Sequence, residues 1–201
     1  MVNCLLLHLA SSLLVVPQFA VAAFALVFLD GERHWDPVAA GRLLFAFNLL
    51  GALGRVGSGI WSDRVGSRLR PIRQLAVASA LLMAAIALGS ALGAAWVVVA
   101  FGLASVVTVA DNGLAYTAVA ELAGAEWSGR ALGVQNTVQN LASVATAPLL
   151  AALIGGTSYS VGFATVALAP LLAVAVIPVR GERRQPAASM RELILPETGG
   201  G

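Results

Sequence analysis

Long stretches of this chain carry no formal charge. Residues 1–29, 74–110 and 131–179 contain no Asp, Glu, Lys or Arg. Runs of that length belong in a bilayer, where the backbone must satisfy its hydrogen bonds internally, so the crossing segments are expected to be helical. Only 11% of the residues are charged, against about a quarter in a typical soluble domain. That shortfall excludes an ordinary cytosolic enzyme, a disordered chain and a nucleic-acid-binding protein. The net charge of +2 does not contradict this, because all twelve basic residues are arginines scattered along an apolar chain. One cysteine, Cys4, leaves no internal disulfide, and two histidines without cysteine partners supply no metal site. No cofactor and no metal are expected.

A crossing helix needs about 20 residues to traverse a hydrocarbon core of about 30 Å. The first run gives a span near 2–29 and ends in the polar Asp30-Gly-Glu-Arg-His-Trp-Asp-Pro, where Pro37 suits the opening of the next helix. The second span, about 38–62, must contain Arg42 near one end and Arg55 inside. The run 74–110 is too long for one helix and breaks at Gly89-Ser-Ala-Leu-Gly93, giving spans near 75–88 and 95–120. The run 131–179 divides at Gly155-Gly-Thr-Ser158 into 131–154 and 159–177. The reading is an all-α polytopic membrane protein: a six-helix bundle over 1–178 and a flexible cytoplasmic tail over 179–201. A signal peptide ending at Ala20-Val-Ala-Ala-Phe-Ala25 fits poorly, since no positive residue precedes an apolar run longer than a signal core.

Arginine placement sets orientation, because cytoplasmic flanks collect basic residues. With six spans both termini share a side. The loop bearing Arg64, Arg68, Arg70 and Arg73 falls there, with Arg130 and the tail arginines; Arg33 and Arg42 lie opposite. Both termini are expected in the cytoplasm, with the bundle in the plasma (inner) membrane.

The loop between spans two and three reads Gly59-Ile-Trp-Ser-Asp63-Arg64-Val-Gly66-Ser-Arg68-Leu-Arg70. Gly66 can supply a tight turn between helices. Taken alone, the loop is a solvated basic turn that sets topology. Its spacing, G-x-x-x-D-R-x-G-x-R-x-R, resembles the signature loop of the major facilitator superfamily (MFS) of secondary transporters, which lies between the second and third helices of each six-helix half. Gly124-Ala-Glu-Trp-Ser-Gly-Arg-Ala-Leu-Gly133 is similar to the junction of the fourth and fifth helices in the family's C-terminal half. The resemblance implies half of an MFS fold, a 3+3 pseudo-repeat, with a small-molecule solute held between two such halves. A missing N-terminal half or a second copy of the chain is then the expected partner, besides the lipid bilayer. It also implies a gating role for Gly59, Asp63, Arg64, Gly66, Arg68 and Arg70, with Asp63 latching onto the opposite half and finding no partner within this chain. A fragment is favoured over a dimerising half-unit. An internal echo of the repeat, Gly41-Arg-Leu-Leu-Phe-Ala-Phe-Asn48 against Gly129-Arg-Ala-Leu-Gly-Val-Gln-Asn136, opens spans two and five and is short enough to be coincidence.

Ionisable groups at membrane depth are costly and need a partner or a purpose. Asp111 lies roughly 15 Å above the cytoplasmic end of span four and Arg55 roughly 12 Å above the end of span two, taking 1.5 Å per residue. Two readings stand: a buried structural ion pair, or an Asp111 that titrates and couples proton movement to transport. Span four sets Ser105, Thr108, Asn112 and Tyr116 on one helical stripe, and span one carries His8, Ser11, Ser12 and Gln18 around Pro17. By resemblance both stripes face the solute. Gln135, Asn136, Gln139 and Asn140 on span five, extended by Ser143, have two readings: contact with the solute, or bonding between neighbouring helices. Gly51, Gly54 and Gly57/Gly59 resemble a small-residue packing surface.

The ending Leu195-Pro-Glu-Thr-Gly199-Gly-Gly resembles a sortase tag without the apolar segment that wall anchoring requires. The spans hold no helix-borne H-E-x-x-H, paired-aspartate site or nucleophile with a base, so no enzyme is indicated. The favoured function is proton-coupled or facilitative movement of a small organic solute by alternating access. The alternative is a non-transporting six-helix assembly partner.

Overall fold

A computed structural model describes residues 2–179, and the described residues are helical apart from short connections. The helices are α1 (Val2–Gly31), α2 (Pro37–Val65), α3 (Leu69–Ala91), α4 (Val97–Ala123), α5 (Ser128–Gly156), α6 (Tyr159–Val166) and α7 (Leu168–Val176). Six segments are long and apolar enough to cross a membrane, with Tyr159–Val176 counting as the sixth. The tail, 180–201, lies outside the described residues.

Local chemistry explains the boundaries. Asp36 caps α2 by accepting from the Ala39 amide at 2.9 Å, and Pro37 occupies the first turn, where no amide donor is missed. Gly66 ends α2 in the left-handed region at φ 62°, and Ser67 Oγ accepts from the Arg70 amide to open α3. Only Gly66–Arg68 separate the two helices. Arg70 and Arg73 therefore stand on the first turns of α3, and the third span runs well past 75–88 at both ends. Ser158 caps α6 through the Val161 amide. The sixth span is not continuous as expected: it breaks at Ala167, because Pro170 cannot donate to the carbonyl of Val166. Pro17, by contrast, is carried within an uninterrupted α1.

In the bundle, α1 and α4 touch each other and are the most buried spans. α3 and the α6–α7 pair pack behind them, while α2 lies on α4 and α5 lies on α1 and α4. α2 and α5 are the least buried spans. Two apolar clusters hold the structure. One contains Phe28, Phe101, Phe163, Met83, Ile86 and Val97. The other contains Leu7, Leu14, Leu69, Ile72, Leu114, Val119 and Ile177. Between them in the sequence of α3 and α4 fall the buried polar residues Ser79, Thr108 and Asp111.

The α2–α4 contact is a close approach of small residues. A Cβ on Gly51 would meet the Ser105 carbonyl oxygen at 3.0 Å, and one on Gly54 would meet the Val106 side chain at 2.9 Å. On α4, Gly102 receives the Phe47 ring, 2.5 Å from where its Cβ would stand. Gly57 and Gly59 face open space, so the packing stripe is shorter than the sequence suggested. At the other end of the bundle, Arg33 donates to the carbonyls of Gly93 and Ala94, both at 2.7 Å, with its guanidinium over the Phe28 ring. This ties the α1–α2 connection to the α3–α4 connection.

Candidate functional site

The polar side chains of α1, α4 and α5 join these helices pairwise. Gln18 on α1 accepts from Asn112 Nδ2 on α4 at 2.9 Å. Tyr116 on α4 donates to Asn136 Oδ1 on α5 at 3.1 Å. His8 Nδ1 on α1 donates to Gln135 Oε1 on α5, and Cys4 Sγ lies 3.5 Å from His8 Nε2. Each helix of the trio is thus fastened to the other two through side chains, where lipid-like surroundings provide no hydrophobic force to do so.

The expected stripes divide by exposure. On α4, Ser105 and Thr108 are buried, and their hydroxyls are spent on the carbonyls of Phe101 and Ala104 in their own helix. Asn112 and Tyr116 are partly exposed. On α1, Ser12 bonds the His8 carbonyl, while Ser11 is buried without a hydrogen-bond partner among the described residues. α5 presents two faces. Gln135, Gln139 and Ser143 are buried, whereas Asn136 and Asn140 are exposed, Asn140 donating to the Asn136 carbonyl. Nε2 of Gln135 and of Gln139 has no partner among the described residues.

Asp111 is 3% exposed, and its Oδ2 also lacks a hydrogen-bond partner. Arg55 is within electrostatic reach, but its Nε donates to the Val109 carbonyl at 3.2 Å. No ion pair joins the two, contrary to the structural-pair reading: Arg55 is exposed on α2 and anchors to the backbone of α4. Beside it Ser58 donates to the Ala110 carbonyl at 2.6 Å. Ser58 and Ser62 were missed in the sequence, although Gly51, Arg55 and Ser58 form a stripe at helical spacing that marks the α4-facing side of α2, and Ser62 continues it to the α2–α3 loop.

The α2–α3 loop centres on Arg68. Its NH1 bonds Asp63 Oδ1 and, at 3.1 Å, Ser62 Oγ, while Nε reaches Glu121 on α4 at 3.3 Å. Asp63 is thus ion-paired within its own loop. Burial lowers the Arg68 pKa, but the Asp63 and Glu121 carboxylates outweigh that and hold it above its ordinary value. Arg64 is exposed, and so is Arg70; Gly59 lies further back on α2. Among the described residues no group of three His, Cys, Asp or Glu side chains could hold a metal ion.

Comparison with known proteins agrees with this architecture. An uncharacterized MFS-type transporter of Mycobacterium tuberculosis (strain ATCC 25618 / H37Rv) is 45% identical over 174 residues, which is 87% of this chain and 39% of the relative. One from strain CDC 1551 / Oshkosh is 44% identical over the same shares. The chain thus spans well under half the length of these relatives. The model of the Major Facilitator Superfamily matches residues 7–193. With six membrane-length helices and a match over nearly its whole length, this multi-pass membrane chain belongs to the Major Facilitator Superfamily.

Proposed function

We propose that the chain is a six-helix half-unit of a secondary transporter that moves a small organic solute by alternating access. The carrying observation is the grouping of Gln18, Asn112, Tyr116 and Asn136 where α1, α4 and α5 meet, each at least partly exposed and each with hydrogen-bonding capacity left over. Such a surface can take up the polar groups of a solute, and a second six-helix unit would close over it. α2 and α5, the least buried spans, offer that unit its docking surface; it is either the missing half or a second copy. In this reading Asp111 is the proton-coupling group: a buried carboxylate with a free oxygen can take a proton without first breaking an ion pair. Asp63, Arg68 and Glu121 form the gate, which rearranges when the partner docks. The unit sits in the inner membrane with both termini in the cytoplasm and performs no covalent chemistry.

Flux into proteoliposomes tests this, using the chain alone and co-reconstituted with a matching six-helix unit. Uptake of a solute from a panel of sugars, carboxylates and drugs is expected only when two units associate, with a dimer-sized particle on blue-native electrophoresis. A solitary monomer with no flux in either arrangement would leave the assembly-partner reading in its place.

A further inference from the structure

We infer that the start of α3 carries a binding site for the headgroup of an anionic phospholipid, with the lipid's acyl chain lying along the same helix face. A groove of about 370 Å³ is lined by Arg70, Arg73, Gln74, Val77 and Val179. Four of these residues belong to α3 at offsets 0, 3, 4 and 7, a single helical face. The face continues through Leu81, Ala84 and Leu88, all exposed. It is therefore amphiphilic along its length: two guanidinium groups and an amide at one end, then unbroken apolar surface. Leu88 lies eleven residues beyond Val77, or roughly 16 Å along the helix, about half the thickness of a hydrocarbon core. That matches one leaflet.

Among the described residues, the charges at this end leave the two arginines available. Asp63 and Glu121, the nearby carboxylates on α2 and α4, are both bound to Arg68. The guanidinium groups of Arg70 and Arg73 are exposed and have no hydrogen-bond or ion-pair partner among the described residues. Guanidinium groups favour phosphate because their planar donors meet two oxygens at once, and Gln74 adds a neutral donor from the same wall. A zwitterionic headgroup brings its own ammonium and satisfies two unpaired arginines poorly, so the complementary ligand is a phosphodiester with net negative charge. The site depends on the bilayer location of the chain and not on solute transport, so failure of the transport proposal would not touch it.

The test uses the full chain purified in mild detergent, with phosphatidylglycerol, phosphatidylcholine or inorganic phosphate added. Bound lipid is counted by native mass spectrometry and stability is followed by thermal melting. Phosphatidylglycerol is expected to remain bound and to raise the melting temperature; phosphatidylcholine and phosphate are not. Arg70→Gln with Arg73→Gln should weaken phosphatidylglycerol binding roughly thirty-fold, from two basic side chains near a membrane surface. Arg64→Gln with Arg130→Gln removes equal charge from the same end and should leave binding in place. Gln74→Glu, which sets a carboxylate in the groove, should abolish binding and serves if the double variant fails to fold. Equal losses in the two double variants would mean diffuse charge attraction and overturn the site. Stabilisation by inorganic phosphate at millimolar concentration would make it an anion site and overturn the lipid assignment.

Discussion

Arg55 hydrogen-bonds the Val109 carbonyl at 3.2 Å and forms no ion pair with Asp111, two residues further along α4. The pair of opposite charges that an apolar chain would be expected to bring together is thus not joined, the guanidinium being taken by a carbonyl two residues before the acid. The consequence falls on Asp111, which stays buried with an oxygen unpartnered.

If Asp111 is the proton-coupling group, Asp111→Asn should abolish pH-gradient-driven uptake while leaving solute exchange at equal pH. Its melting temperature should not fall, because the replacement removes a buried acid that has no ion-pair partner to lose. Uptake that still follows the pH gradient in this variant would eliminate the coupling role.

The α2–α4 contact should resist enlargement. Gly102→Val collides with the Phe47 ring and Gly51→Leu with the backbone of α4; overpacking of this kind costs about 1–3 kcal/mol. Gly57→Ala, facing open space, should be close to neutral. Melting in detergent distinguishes them, and equal effects at Gly51 and Gly57 would contradict the observed helix rotation.

His8 and Gln135 should behave as a unit. His8→Phe leaves a fully buried Gln135 without its hydrogen bond, a loss of about 1–3 kcal/mol for an unsatisfied buried group. Combining it with Gln135→Leu should recover most of that loss, since removing both partners leaves nothing unsatisfied. A thermodynamic cycle over the four proteins measures the coupling; additive losses would show that the two side chains act independently.

Arg33 holds two carbonyls across the opposite end of the bundle. Arg33→Ala should destabilise by about 1–2 kcal/mol, the lower range for charged hydrogen bonds because the site is part exposed. Arg33→Lys should recover only part, since an ammonium cannot reproduce the planar fork. Hydrogen exchange at residues 92–96 should rise in both variants, more in the alanine form.

Much of the architecture was legible in the chain. The α1–α2 boundary follows from Asp36 and Pro37, the α2–α3 turn from Gly66, and the α5–α6 break from the Gly155-Gly-Thr-Ser158 stretch. The family resemblance in the basic loop and the family match agree. The break at Ala167 was also written in Pro170, but the apolar run around it hid the signal. The candidate site was legible only as a set of residue types. Ser105 and Thr108 share a helix with Asn112 and Tyr116, yet the first two are turned inward and bond their own backbone. The ion pair of Asp63 with Arg68 inside the basic loop was likewise not readable from the spacing alone.

The sequence by itself determined the number of spans, several of the turns between them and the small residues of α2, because partition into a bilayer, capping and the steric freedom of glycine are properties of a residue and its near neighbours. Tertiary structure decided the rest: that Arg55 takes a carbonyl instead of Asp111, that Gly51 packs and Gly57 does not, and that His8 meets Gln135. Those outcomes depend on how each helix is rotated against the next. Rotating a helix about its axis by some tens of degrees moves a side chain from one neighbour to another without changing any hydropathy sum.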